Sequence, residues 1–141
     1  MNLKPSNQTK IYGLDNYLID FIKLYNKKEL PSKILLSGSK GIGKSTLAYH
    51  LINYSLSMNE DFSYDVKNFQ INSNNNDFKH INNLSNPNFD LIDIKDNKKN
   101  IDINQIRSLI EKLNKSSLNS KPRFVLIDNI EFLNTNSINA L

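Results

Sequence analysis

The chain has no cysteine, only four glycines and four prolines, and arginine only at positions 107 and 123. Without thiols it can form neither a disulfide nor a thiolate metal site, and the default compartment is the cytoplasm. No apolar run approaches the roughly 18 residues of a membrane-spanning helix. The opening Met1-Asn2-Leu3-Lys4-Pro5 has no hydrophobic core of the kind a signal peptide needs. The sequon-like Asn53-Tyr54-Ser55 therefore carries no expectation of glycosylation. Net charge is +4 with a pI of about 9.2, mildly basic, which permits a nucleic-acid partner without requiring one. Asparagine, lysine, aspartate and isoleucine are heavily used, a bias that resembles the codon usage of an AT-rich genome and carries little functional meaning by itself.

Three of the four glycines fall in one stretch, Gly38-Ser39-Lys40-Gly41-Ile42-Gly43-Lys44-Ser45. It matches the phosphate-binding pattern GxxxxGK[ST] at every fixed position, a coincidence on the order of one in a thousand in a chain this poor in glycine. The flanks agree with the motif. Lys33 to Ser37 is a short apolar run that reads as a buried strand, and Thr46 to Ser57 reads as the helix that follows. Glycines let the backbone come close to a phosphate, and the amides at a helix N-terminus point at the anion. Gly38, Ser39, Lys40, Gly41, Ile42, Gly43, Lys44, Ser45 and Thr46 are thus the candidate nucleotide-binding residues. Lys44 would reach the β- and γ-phosphates, and the Ser45 hydroxyl would ligate Mg²⁺. The alternative is a glycine-rich turn that binds nothing, or a loop that has kept its fold and lost turnover.

Leu14, Leu18, Phe21, Ile22 and Tyr25 recur at helical spacing, so Leu14 to Lys28 is expected to be an amphipathic helix. Residues 59–86 form a polar, asparagine-rich loop or insert. Within it Asn72-Ser73-Asn74-Asn75-Asn76-Asp77 reads as loop or disorder, and Phe69 and Ile71 as a short strand. Phe89 to Ile94 alternates apolar and acidic residues, which predicts a strand. Asp102 with Gln105 makes a capping-box pair ahead of Ile103, Ile106, Ile110 and Leu113 on one helical face. Ser116 to Lys121 is a loop. Phe124-Val125-Leu126-Ile127 is a continuous apolar run of the buried, parallel type. A last helix starts near Asn134 or Thr135. Strands alternating with helices predict an α/β fold with a parallel sheet flanked by helices.

The apolar run ends in Asp128, which reads as a Walker B aspartate holding Mg²⁺ opposite Ser45, since ligands bind beyond the carboxyl ends of parallel strands. Read alone, it could equally cap a turn. Glu131 is the weak catalytic candidate, able to polarise a water or simply to sit solvated on a helical turn. His50 and His80 lack partners at metal spacing. Lys95, Lys98 and Lys99 read as a solvated turn rather than a DNA contact. The tyrosines are too scattered to suggest a base-stacking platform.

Several segments together resemble one family. They are Ile11-Tyr12-Gly13, Leu30 to Gly38, Gly41 to Ala48, Asn86-Pro87-Asn88-Phe89-Asp90, Ile103-Asn104-Gln105-Ile106-Arg107 and Asn139-Ala140-Leu141. In order and spacing they look like the AAA+ clamp-loader family, most like the delta-prime kind of subunit of bacterial DNA polymerase III. The resemblance implies a P-loop NTPase (AAA+) domain of which 1–141 is the N-terminal part, truncated before the sensor 1 strand. The arginine finger, lid and collar would lie further on. In that sheet, sensor 1 sits between the P-loop strand and the Walker B strand, so the fragment alone is expected to be unstable, with unpaired backbone and exposed apolar faces.

The resemblance further implies ATP and Mg²⁺ as ligands. Its implied partners are the other clamp-loader subunits (gamma/tau and delta), with the sliding clamp and primed DNA reached through the complex, and no membrane. Tyr12 and its neighbours match the family's segment near the adenine. The gamma and tau subunits carry a four-cysteine zinc module where this chain has its asparagine-rich segment, so no zinc is expected. They also carry a catalytic glutamate where this chain has Asn129, and asparagine cannot act as a base for the attacking water. Nucleotide binding with little or no turnover is the expectation. An active motor ATPase of the gamma/tau type remains an alternative. So does a P-loop phosphotransferase, for which Asp93 is an available base but the arginine-rich lid is not.

Overall fold

Where apolar residues recur at helical spacing, the chain makes helices within about two residues of the expected bounds. The computed structural model describes residues 3–116 and 119–141 and divides them into two compact units, 1–85 and 86–141. In the first, a 3₁₀ turn at Pro5–Asn7 precedes α1 (Asp15–Asn26), α2 (Lys44–Ser57) and α3 (Asn76–Asn82). Helix α1 buries Leu18 and Ile22. It stops at Asn26, short of the expected Lys28, because Lys28 takes φ 60° and Glu29 N–H closes on Leu24 O at 2.9 Å.

Helix α2 is the centre of this unit. It buries Leu47, Tyr49, His50, Leu51, Ile52, Asn53, Ser55, Leu56 and Ser57, leaving little of its surface to solvent. Its core partners are Ile11, Leu18, Ile22, Tyr64 and Ile71. Its first residue is Lys44, two residues earlier than the sequence predicts, so the helix begins inside the phosphate-loop motif itself.

Three expectations for this unit are corrected. Residues 33–37 are not a strand, and among the described residues no strand or bridge pairs with them. Ile34 is 42% exposed and Leu35 74% exposed. A buried parallel strand needs hydrogen-bonded neighbours and covered faces, and an apolar run alone supplies neither. Second, Phe69 and Ile71 flank an isolated antiparallel bridge between Gln70 and Lys10 rather than forming a strand. Two hydrogen bonds hold it, Ile71 N–H to Thr9 O at 2.8 Å and Ile11 N–H to Phe69 O at 3.4 Å.

Third, the asparagine-rich stretch is a turn only as far as Asn75 and runs straight into α3 at Asn76, so its end is helix rather than loop or disorder. Asn75 is fully buried and caps α3, its Oδ1 accepting from Phe78 N–H at 3.0 Å. Asn53 on α2 donates to the same Oδ1 at 3.2 Å. Asparagine favours caps because its short amide competes for backbone groups at a helix start. Here that chemistry anchors the end of a low-complexity run to the start of a helix.

The second unit is a βαβ arrangement. Strand β1 (Phe89–Ile92) leads through α4 (Ile103–Leu113) to β2 (Phe124–Ile127). The strands pair in parallel, Phe89 against Phe124 through Ile92 against Ile127. The parallel sheet of the expected α/β class is therefore present as two strands. Strand β1 ends at Ile92 rather than Ile94, because Asp93 Oδ1 accepts Ile94 N–H at 2.7 Å and turns the chain.

Helix α4 buries Ile106 and Leu109 beside Ile92, Ile101 and Leu133. Asp102 caps it by accepting Asn104 N–H at 2.9 Å. Gln105 Nε2 is buried without a hydrogen-bond partner. Arg123 closes the other end, donating to Lys112 O and Lys115 O, each at 3.3 Å. Lys112 pairs with Asp90 of β1. Strand β2 is half-buried along its length rather than fully buried as its composition suggests. After it come a 3₁₀ turn at Ile130–Phe132 and α5 (Thr135–Ala140), capped by Asn134 accepting Ser137 N–H at 2.8 Å. The expected loop from Ser116 to Lys121 includes residues 117 and 118, which lie outside the described residues.

Candidate functional site

The phosphate-loop motif forms a tight turn running into α2. Gly38, Gly41 and Gly43 have φ of 153°, 82° and 98°, in the left-handed range that side chains avoid. Gly41 faces open space, whereas a Cβ on Gly43 would lie 3.2 Å from Leu14 Cδ1. The loop folds onto itself, Ile42 N–H reaching Ser39 O at 3.4 Å and Leu47 N–H reaching Gly43 O at 2.9 Å.

Lys44 is the positive charge of this turn. Its ammonium donates to Gly38 O at 2.7 Å and to Ser39 O at 2.9 Å, so the side chain curls back across the loop. Two loop carbonyls therefore hold the Lys44 ammonium at the N-terminus of a 14-residue helix. Both the helix dipole and the ammonium favour an anion there. The lysine's carbonyl acceptors are weak ones that phosphate oxygens can replace, and charge-assisted contacts to phosphate are the stronger kind. Lys40, Gly41 and Ile42 are exposed, while Gly43, Lys44, Ser45 and Thr46 are half-buried. The set fits a phosphate-bearing ligand. Within this unit the Ser45 hydroxyl is a hard oxygen donor, the chemistry Mg²⁺ selects.

A structural lock stabilises the same helix from below. His50 is fully buried on α2. Its Nε2–H donates to Gln8 O at 3.0 Å, which leaves Nδ1 to accept from the Tyr64 hydroxyl at 2.7 Å. Burial pulls the imidazole down to about 4, the Gln8 carbonyl opposing weakly. Burial also pushes the Tyr64 phenol up, with the charges of Asp65 and Asp15 adding to it. His50 thus ties the segment ahead of Ile11 and Tyr12 to the helix that begins at Lys44. In the sequence it is a lone histidine, and nothing there signals partners 42 and 14 residues away. His80 is exposed on α3. Tyr12 is 76% exposed, with Lys10 Nζ 5.6 Å from its ring centroid.

The acidic candidates belong to the second unit. Asp128 follows β2 directly, and its N–H donates to Ile92 O at 2.9 Å, extending the ladder by one rung. Its Oδ1 accepts Asn129 N–H at 2.9 Å. Asn129 takes a left-handed conformation, φ 53° and ψ 44°, and its side-chain amide donates to Asp93 Oδ1 at 2.8 Å. The residue standing where a catalytic base is expected is thus bound to the tip of the neighbouring strand. Glu131 sits exposed on the following 3₁₀ turn. Lys95, Lys98 and Lys99 are exposed on the turn after β1. The structure gathers the nine loop residues into one turn, and separately gathers Asp93, Asp128 and Asn129 at the carboxyl ends of the two strands.

No curated protein matches the chain. No helix of the described residues is long and apolar enough to cross a membrane. A family model matches residues 14–141, a span that takes in the glycine loop, α2, both strands and the Asp128 tip. That family is described as DNA polymerase III, delta subunit, and the chain belongs to it, as a subunit of the DNA polymerase III clamp-loader type.

Proposed function

We propose that the chain is the nucleotide-binding part of a delta-prime-like clamp-loader subunit, which binds ATP with Mg²⁺ and turns it over poorly. Its work is to assemble with the gamma/tau and delta subunits in the cytoplasm and to help place the sliding clamp on primed DNA. The observation that carries this reading is the Lys44 ammonium held inside a complete glycine loop at the start of α2. In this reading the loop residues 38–46 hold the phosphates and Lys44 meets the terminal ones. Ser45 and Asp128 serve the metal, a pairing that rests on the order of the motifs in the sequence. Mg²⁺, when bound, would neutralise phosphate charge. Asn129 offers no lone pair basic enough to activate water.

The test is fluorescent ATP titration beside a phosphate-release assay on the full-length protein, with and without partner subunits. Lys44→Ala is expected to weaken binding at least tenfold, and the native protein to release negligible phosphate. Robust Lys44-dependent hydrolysis by the subunit alone would instead establish a motor ATPase of the gamma/tau type. Loss of binding by neither variant nor competitor would remove nucleotide from its function.

A further inference from the structure

The end of β2 departs from a simple loss of a catalytic residue. Three hydrogen bonds order the tips of the two adjacent strands, one of them crossing between the strands. Asp93 Oδ1 accepts Ile94 N–H at 2.7 Å and Asn129 Nδ2–H at 2.8 Å, and Asp128 Oδ1 accepts Asn129 N–H at 2.9 Å. Asn129 is the only residue of the three that touches both carboxylates, one through its backbone and one through its side chain. Its left-handed backbone makes this double contact geometrically feasible, and asparagine adopts that conformation more readily than most residues.

We propose that Asn129 is a positioning residue that clasps Asp93 and thereby sets the orientation of Asp128, so that a glutamate at this position loosens the strand tips instead of activating the site. This inference rests on the nucleotide-binding reading only for the role of Asp128, while the clasp itself stands on unit 86–141 alone. A glutamate at 129 would carry a carboxylate where the amide now donates to Asp93. Two carboxylates would face each other, and a longer side chain would sit in a left-handed backbone. Aspartate at 129 isolates the charge effect, because it keeps both the length and the left-handed tolerance of asparagine. Changing Asp93 to asparagine as well restores an amide–carboxylate pair with donor and acceptor exchanged between the strands.

The experiment uses the full-length protein in five forms: native, Asn129→Asp, Asp93→Asn and the double exchange, which make up a cycle, and Asn129→Glu, which is assayed for phosphate release. Urea denaturation of the first four gives the double-mutant cycle, and mant-ATP titration with and without Mg²⁺ reads Asp128. The expected result is a lowered urea midpoint for Asn129→Asp that the double exchange restores. Mg²⁺-dependent affinity should fall about tenfold in Asn129→Asp and return in the double exchange, with Mg²⁺-free affinity unchanged. Asn129→Glu should release no more phosphate than native protein. Additive midpoint changes, or a double exchange as impaired as Asn129→Asp, would overturn the clasp. Phosphate release gained by Asn129→Glu would overturn the positioning role. If native protein binds no nucleotide, the nucleotide reading fails and the orienting of Asp128 falls with it, while the urea cycle still decides for or against the clasp.

Discussion

His50 shows how much one buried side chain can contribute to the helix that carries the phosphate loop. It is neutral in the fold, and burial holds its imidazole at about 4 rather than near 6.5. In the unfolded chain it titrates near 6.5, so below that pH the unfolded state takes up the proton first. The stability that the neutral His50 supports is therefore complete above pH ~6.5 and declines as pH falls towards about 4. The shift corresponds to roughly 3 kcal/mol across that window at most. Chemical denaturation at pH 7.5 and pH 5.5, above the range where ordinary carboxylates titrate, should show this decline in the native protein. His50→Gln should be less stable at pH 7.5 yet nearly flat between the two values. An equally steep decline in His50→Gln would assign it to other groups.

At the scale of the element, the asparagines that look like compositional noise hold α3 and the start of β1. Asn75 caps α3 and receives the buried Asn53 amide. Asn88 and Asn119 exchange a reciprocal pair of amide hydrogen bonds, each 2.9 Å, and Asn88 also donates to Lys121 O. Removing such a partner costs more than the bond itself, because the group left behind is buried without one. Asn75→Ala is expected to lower stability by about 2–3 kcal/mol, roughly 1 from the cap and the rest from the stranded Asn53 amide. Asn74→Ala, an exposed neighbour in the same run, should cost under about 0.5 kcal/mol. Similar losses for both would leave Asn75 without a special part in holding α3.

Across the whole molecule, each unit closes a small core and leaves some large apolar side chains in solvent. Residues 86–141 close a small core around Ile101 and Ile106, which are 1% and 0% exposed. In residues 1–85 the core gathers on α2, yet Ile34 and Leu35 remain outside it. Leu35→Asp therefore gives a direct test of this arrangement. A charge in a buried central strand would cost several kcal/mol, whereas at an exposed position it stays within about 0.5 kcal/mol. The expected result for the 141-residue chain is an unchanged denaturation midpoint and better solubility. A collapse in stability would return residues 33–37 to a strand.

The glycine loop, the helix that follows it and the capped start of α4 were all determined by the sequence alone. Each depends on residues within a few positions of one another, where spacing, capping chemistry and glycine's backbone freedom act directly. Tertiary structure decided what depends on distant partners. Whether Lys33–Ser37 is a strand rests on hydrogen bonds to other strands, and among the described residues none forms. Whether Asn75 belongs to a loop or a helix cap rests partly on Asn53, 22 residues away. Asn129 could be read from the sequence only as a missing base. Its hydrogen bond to Asp93, 36 residues earlier, exists because β1 and β2 pair in parallel and bring their carboxyl ends side by side.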